Sequence, residues 1–167
     1  MRIGYVSADG RGETDRLISE AAATLEAEGF RLNGIVKVLQ EQPEGSHHCD
    51  MDVRVLSDGR SIRITQSLGK ESQGCRLNPE AIAEAVAAVD QTGGVTADAF
   101  LLNKFGPEEA EGRGFRHAIA DALEKGIPVL VGLGAGEATR KGFEAFVGDL
   151  AVALPADPDA LLSFVRG

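Results

Sequence analysis

The chain has 167 residues, 43% of them hydrophobic and 26% charged, a balance that suits one soluble globular domain with room for a proper core. Its 26 acidic residues against 17 basic ones leave a net charge of −9, which argues against a nucleic-acid partner held by electrostatics, and the absence of Trp argues against base stacking. No apolar run approaches the roughly 18 residues of a membrane span, and a first strand that begins at Met1 with no signal peptide predicts a cytoplasmic protein with two reduced cysteines.

Residues 1–6 read as a buried strand. After the turn Ser7-Ala8-Asp9-Gly10-Arg11-Gly12-Glu13-Thr14, a helix starts near Thr14 with Leu17, Ile18, Ala21, Ala22 and Leu25 on one face, and Gly29 is placed to stop it. Residues 32–39 form a second strand, and a polar loop over 40–50 carries His47, His48 and Cys49. Asp58-Gly59 between two alternating segments then marks a hairpin. With those two as the central turn residues, Val53 faces Ile64, Val55 faces Ile62, and Arg54 stands opposite Arg63. Like charges so placed either hold an anion between them or splay into water near Asp52.

Residues 66–76 read as a loop containing Cys75. Asn78-Pro79 starts a helix that buries Ile82, Val86 and Val89, and Thr92-Gly93-Gly94 breaks it. Residues 97–102 are a buried strand ending in Asn103-Lys104-Phe105-Gly106. Glu108, Glu109 and Glu111 read as a solvated acidic helix start, followed by Arg113 and Arg116 and a helix burying Phe115, Ala118, Ile119, Ala122 and Leu123, which Gly126 closes. Another buried strand spans 127–133, and Gly132-Leu133-Gly134-Ala135-Gly136 leads to a short helix with Arg140 and Lys141. That glycine pattern lacks the acid and second βαβ unit of a dinucleotide fingerprint. A last strand over 150–154 and a helix over 158–165 complete the chain.

Strand–helix alternation on both sides of an inserted hairpin predicts a single α/β domain over 1–167: a three-layer, mostly parallel sheet with an antiparallel hairpin insertion at about 51–65. Ligands of such sheets bind outside the carboxyl ends of the strands, where the loops 9–14, 103–106 and 132–140 are expected to meet. The first loop has the spacing of a Walker A motif, with Ser7 where the first glycine belongs and Glu13 where the phosphate-binding lysine belongs. The candidate ligand-binding residues are Asp9, Gly10, Arg11, Gly12, Glu13, Thr14, Asn103, Lys104 and Arg140, with Glu13 and Lys104 as candidates for any catalysis. Glu13 and Lys104 either pair across the strand ends, or Lys104 delivers positive charge to an anion while Glu13 complements a helix dipole. His47, His48, Cys49 and Cys75 are the metal-ligand types, without the paired spacing of a structural zinc site.

The stretch FLLNKFGPEEAEGRGFRHAIADALEKGIPVLVGL, behind a Walker-A-like turn and an inserted hairpin, resembles the small thermophilic-type nucleoside triphosphatases of the P-loop superfamily. The segments CDMDVRVLSDGR, GCRLNPEAI and NKFGPEEAEGRGFR are similar to an uncharacterised bacterial domain-of-unknown-function family that is grouped with those enzymes and often encoded beside molybdate-transport genes. The resemblance covers nearly the whole chain and implies a P-loop-NTPase-like sheet. Carried over by position, it implies that Glu13 replaces the phosphate-binding lysine, Asn103 the magnesium-supporting acid and Lys104 the water-activating acid. Thr14 keeps a magnesium-side hydroxyl, and Gly10 and Gly12 keep backbone access to a phosphate. The function so implied is a nucleotide- or oxyanion-binding protein with a degenerate Walker A/B site, a non-hydrolysing accessory or regulator in molybdate or cofactor metabolism. The alternatives are a nucleoside triphosphatase with rewired residues, where Asp9, Glu13 or Asp15 orients water, and a molybdate or tungstate binder. Its ligand is then a nucleotide with magnesium, or molybdate; the partner is a small anion, and homo-oligomerisation stays open.

Overall fold

The structure is a computed structural model and describes residues 1–39, 51–67, 75–91 and 96–167. In chain order it contains β1 (Ile3–Val6), α1 (Glu13–Ala27), β2 (Leu32–Lys37), β3 (Asp52–Val55), β4 (Ser61–Arg63), β5 (Thr65–Ser67), β6 (Cys75–Leu77) and α2 (Pro79–Asp90). Then follow β7 (Ala99–Phe105), α3 (Pro107–Ala110), α4 (Arg116–Glu124), β8 (Val129–Leu133), α5 (Glu137–Val147), β9 (Ala151–Ala153) and α6 (Pro158–Arg166). Seven strands form one sheet in the order β4-β3-β2-β7-β8-β1-β9. The five from β2 to β9 run parallel, and β3 and β4 add antiparallel at one edge. No helix among the described residues is long and apolar enough to cross a membrane.

The helices end where the glycines stand. At α1, the Phe30 N–H donates to the Leu25 carbonyl and the Gly29 N–H to that of Glu26, both 3.0 Å, the paired bonds of a Schellman motif around a left-handed Gly29 (φ 91°). Gly126 closes α4 by the same pair of bonds, with Ile127 donating to Ala122 at 2.9 Å. At the start of α2, Asn78 Oδ1 accepts from the Glu80 and Ala81 N–H groups at 3.1 and 3.4 Å, with Pro79 in the first helical position.

Two apolar clusters lie on opposite faces of the sheet. Phe100, Leu102, Phe105, Val129 and Val131 pack on one side with Ile119 of α4 and Phe143 of α5. Val6, Leu101 and Leu130 pack on the other with Leu17 and Ile18 of α1 and Leu161 of α6. Where β2 crosses β7 only glycine fits: Gly34 has φ 106°, and a Cβ there would stand 1.9 Å from the Leu101 carbonyl oxygen.

The hairpin departs from the expected register. Val53 faces Ile62, Asp52 faces Arg63 and Arg54 faces Ser61. The turn is a four-residue loop over 56–59, closed by Gly59 N–H to the Val55 carbonyl and Val55 N–H to the Arg60 carbonyl, both 2.8 Å. Leu56 explains the longer loop, because it stays buried and its N–H bonds the Gly34 carbonyl at 3.0 Å, so the chain turns only after it. The two arginines therefore never oppose each other. Arg54 pairs with Glu26 of α1, and Arg63 Nε donates to Asp52 Oδ1 at 2.9 Å. The expected loop over 66–76 is also corrected at its ends: β5 and β6 pair antiparallel as a separate ladder, with Ser67 opposite Cys75. The predicted break at Thr92-Gly93-Gly94 and the loop bearing His47, His48 and Cys49 lie outside the described residues.

Candidate functional site

The carboxyl ends of β1, β8 and β7 lie side by side, with Val6 opposite Gly132 in the parallel register. Chain direction splits there. From β1 the chain crosses one face through α1 to reach β2, whereas from β8 it crosses the other face through α5 to reach β9. Neighbouring strands whose connections leave in opposite directions open a crevice between their loops, the usual place for a ligand on a parallel sheet. Its floor is Gly132: a Cβ there would stand 2.1 Å from the Asn103 carbonyl oxygen and 2.7 Å from Thr14 Cγ2.

A bulge shapes the β7 side. Leu102 pairs with Val131 and Phe105 with Leu133, so Asn103 and Lys104 together answer Gly132 alone. The extra residue returns Phe105 to the face that holds Leu102, where its ring stands edge-on to Phe143 at 5.0 Å. Asn103 is turned to the opposite face and buried, its Nδ2 donating to Asp15 Oδ1 of α1 at 3.0 Å. Lys104 is exposed, and no carboxylate among the described residues pairs with it.

The Walker-like loop is organised by its own groups. Gly10 and Gly12 adopt φ of 100° and 75°, and Gly12 is the left-handed residue immediately before α1. The Thr14 hydroxyl accepts from the Ala8 N–H at 2.9 Å, and the Gly10 carbonyl accepts from the Glu13 N–H at 3.3 Å. Glu13 does not meet Lys104, because both of its carboxylate oxygens accept from the Arg16 guanidinium one helical turn on, which also bonds Glu20. That guanidinium holds the Glu13 carboxyl below its ordinary range. Asp9 and Arg11 are exposed on the loop.

Two further expectations change. The acidic run is not wholly solvated: Glu109 is buried, with Oε2 accepting from the Gly106 N–H at 3.1 Å and Oε1 from the Phe115 N–H at 3.4 Å. Burial raises its pKa above the ordinary carboxylate value, against those two bonds. Arg140 lines a cavity of about 140 Å³ with Tyr5, Leu133, Phe143 and Glu144, under α5 on the sheet face away from α1. Of the metal-ligand types only Cys75 falls on a described backbone position, in β6, and the described residues contain no group of three or more His, Cys, Asp or Glu fit for a metal.

The loops 9–14, 103–106 and 132–136 reach the same end of the sheet, whereas the rest of the expected 132–140 loop is already helix, since α5 begins at Glu137. Sequence reasoning missed Arg16 as the partner of Glu13, though acid and base three apart on a helix were a readable signal. It also missed the Asn103–Asp15 bond, which joins residues 88 apart and leaves no local mark.

Over 137 residues, 81% of this chain, the sequence is 34% identical to the molybdenum import ATP-binding protein ModC 2 of Bradyrhizobium diazoefficiens. The match spans only 14% of that relative's length. No solved structure matches the chain. A family model described as protein of unknown function (DUF2478) matches residues 3–164, and the chain belongs to that family.

Proposed function

We propose that the protein binds a small anionic ligand, a nucleotide or a free oxyanion, in the crevice between the loops that follow β1 and β8, and does so without efficient hydrolysis. The observation that carries this reading is Lys104: a cation with no carboxylate partner among the described residues, held by a bulge at the point where two helices begin and the floor is glycine. The relative named for ATP binding and molybdenum import agrees with such a ligand, although the shared segment is a small part of it. The sheet order, with β8 between β1 and β7, suits a P-loop-like arrangement.

Hydrolysis has little to work with. Glu13 is bound to Arg16 in the position of the phosphate-binding lysine, and Asn103 offers an amide, already bonded to Asp15, in place of an acid that would support magnesium. The role that follows is an accessory or regulatory one in molybdate or cofactor metabolism, carried out in the cytoplasm by a single domain. Thermal unfolding of the purified chain with ATP, GTP or molybdate, each with and without magnesium, tests the proposal. A ligand at 100 times its Kd stabilises the fold by about 2.7 kcal/mol. The expected result is a shift with at least one anion and no steady release of phosphate from ATP; no shift with any of them removes the reading, and turnover dependent on magnesium replaces it with a nucleoside triphosphatase.

A further inference from the structure

Arg140 stands out among the arginines of the fold. Arg31, Arg54 and Arg166 pair with carboxylates, and Arg2 and Arg116 lie over phenylalanine rings. Arg140 has neither kind of partner among the described residues, although an acid, Glu144, follows one helical turn on. Arg16 and Glu20, in the same order and at the same spacing, meet at 2.6 Å, so the spacing does not forbid a pair. Arg140 and Glu144 instead line one cavity separately, and no ion pair joins them.

The cavity has a volume of about 140 Å³. Its inner wall is apolar: Leu133, Phe143 and Val147 are buried, and the Tyr5 ring stands edge-on to Phe143 with centroids 5.1 Å apart. The two charged side chains are exposed and mark its mouth. An apolar cavity of about 150 Å³ admits benzene, so this space suits an apolar group of that size. A lone anion at the mouth would meet the Glu144 carboxylate, and a lone cation would meet Arg140; a ligand bearing both charges satisfies both. Residues four apart on a helix have Cβ atoms about 5–6 Å from one another, so the guanidinium and the carboxylate can reach opposite charges carried on a single carbon. The cavity lies away from the crevice: Ala151, also in its lining, faces Ile3 at the amino end of β1, whereas the crevice opens at the carboxyl end.

We infer that the cavity under α5 is a binding site for a zwitterionic α-amino acid with an apolar side chain. Its carboxylate accepts from the Arg140 guanidinium, its ammonium donates to the Glu144 carboxylate, and its side chain packs against Leu133, Phe143 and Val147. The site is separate from the anion crevice and does not rest on that reading. Both charges belong to α5, the helix that starts at the crevice, so a ligand held by them braces one wall of it.

Tyr5 lines the cavity and is the single tyrosine of a chain without tryptophan, so its fluorescence reads occupancy directly. Titration of the full chain with L-leucine, L-valine or L-methionine, none of which fluoresces, is expected to give a saturable change with at least one. Counterparts of the best binder that lack the ammonium or the carboxylate (for leucine, isocaproate and isoamylamine) are expected to bind about tenfold more weakly or worse, the scale of a charge-assisted hydrogen bond. Arg140→Met is expected to weaken amino-acid binding about tenfold and to leave that of the amine unchanged; Glu144→Gln is expected to weaken it similarly and to spare the acid. Neither side chain has a partner among the described residues, so both variants are expected to keep the wild-type thermal midpoint. No saturable change with any of the three amino acids, equal binding of the amino acid and either counterpart, or wild-type affinity in both variants overturns the inference. None of these results bears on the anion proposed for the crevice.

Discussion

Glu13 and Arg16 form a pair on a solvated helix face, and Lys104 lies apart from both. Stability measurements on Glu13→Gln, Arg16→Met and Lys104→Met, singly and in pairs, are expected to show coupling between 13 and 16 and simple additivity between 13 and 104. Asn103→Ala is expected to lose about 1–3 kcal/mol, because it leaves the buried Asp15 carboxyl without its amide donor. Asn103→Asp places two carboxyl groups where one hydrogen bond stood and is expected to destabilise the fold at neutral pH. Glu109 gives a pH dependence of definite sign. Its folded pKa lies above the unfolded one, so its contribution is complete below the unfolded value and is lost as pH rises through the folded value. Glu13, Glu28, Asp98 and Glu108, each lowered first by an arginine hydrogen bond, act oppositely: their contributions are present above the unfolded value and are lost as pH falls through the folded one. Urea unfolding of wild type and Glu109→Gln between pH 4 and 7 is expected to show the wild type's relative stability falling as pH rises (roughly one carboxyl's titration).

At the level of elements, Gly34 is the severest constraint in the sheet. Gly34→Ala requires a left-handed alanine whose Cβ overlaps the Leu101 carbonyl, so it is expected to cost about 3 kcal/mol or more and to yield little folded protein in circular dichroism. The features legible in the sequence are those set by neighbours along the chain: the Asn78-Pro79 start, the glycine stops at Gly29 and Gly126, and the unbroken apolar runs of β7 and β8. What was misread depends on contacts across the fold. Asp58-Gly59 gave a sound turn signal, yet the register shifted because Leu56 is drawn into the core beside Gly34. Glu109 reads as one more surface acid until two backbone N–H groups, one of them six residues on, are found to converge on it. Of the candidate site, the convergence of three loops followed from topology, while the partners of Glu13 and Asn103 did not.

For the molecule as a whole, the two apolar clusters share one sheet, so neither face can be lost without exposing the other. Unfolding is expected to be a single transition. The chain has one tyrosine and no tryptophan, and Tyr5 lies 5.1 Å from Phe143 in the cluster under α5, so its fluorescence reports that face alone. Fluorescence and far-ultraviolet circular dichroism are expected to give coincident urea midpoints; separate midpoints would divide the sheet into independent units.

The bulge in β7 carries a consequence for how this protein can change over time. With two residues answering one, Phe105 keeps its place in the core whatever stands at 104, and the neighbour at 103 is tied to Asp15 on the other face. Position 104 is therefore a letter that the protein's interior does not read. Its charge is expected to be alterable or reversible by a single substitution with little effect on folding.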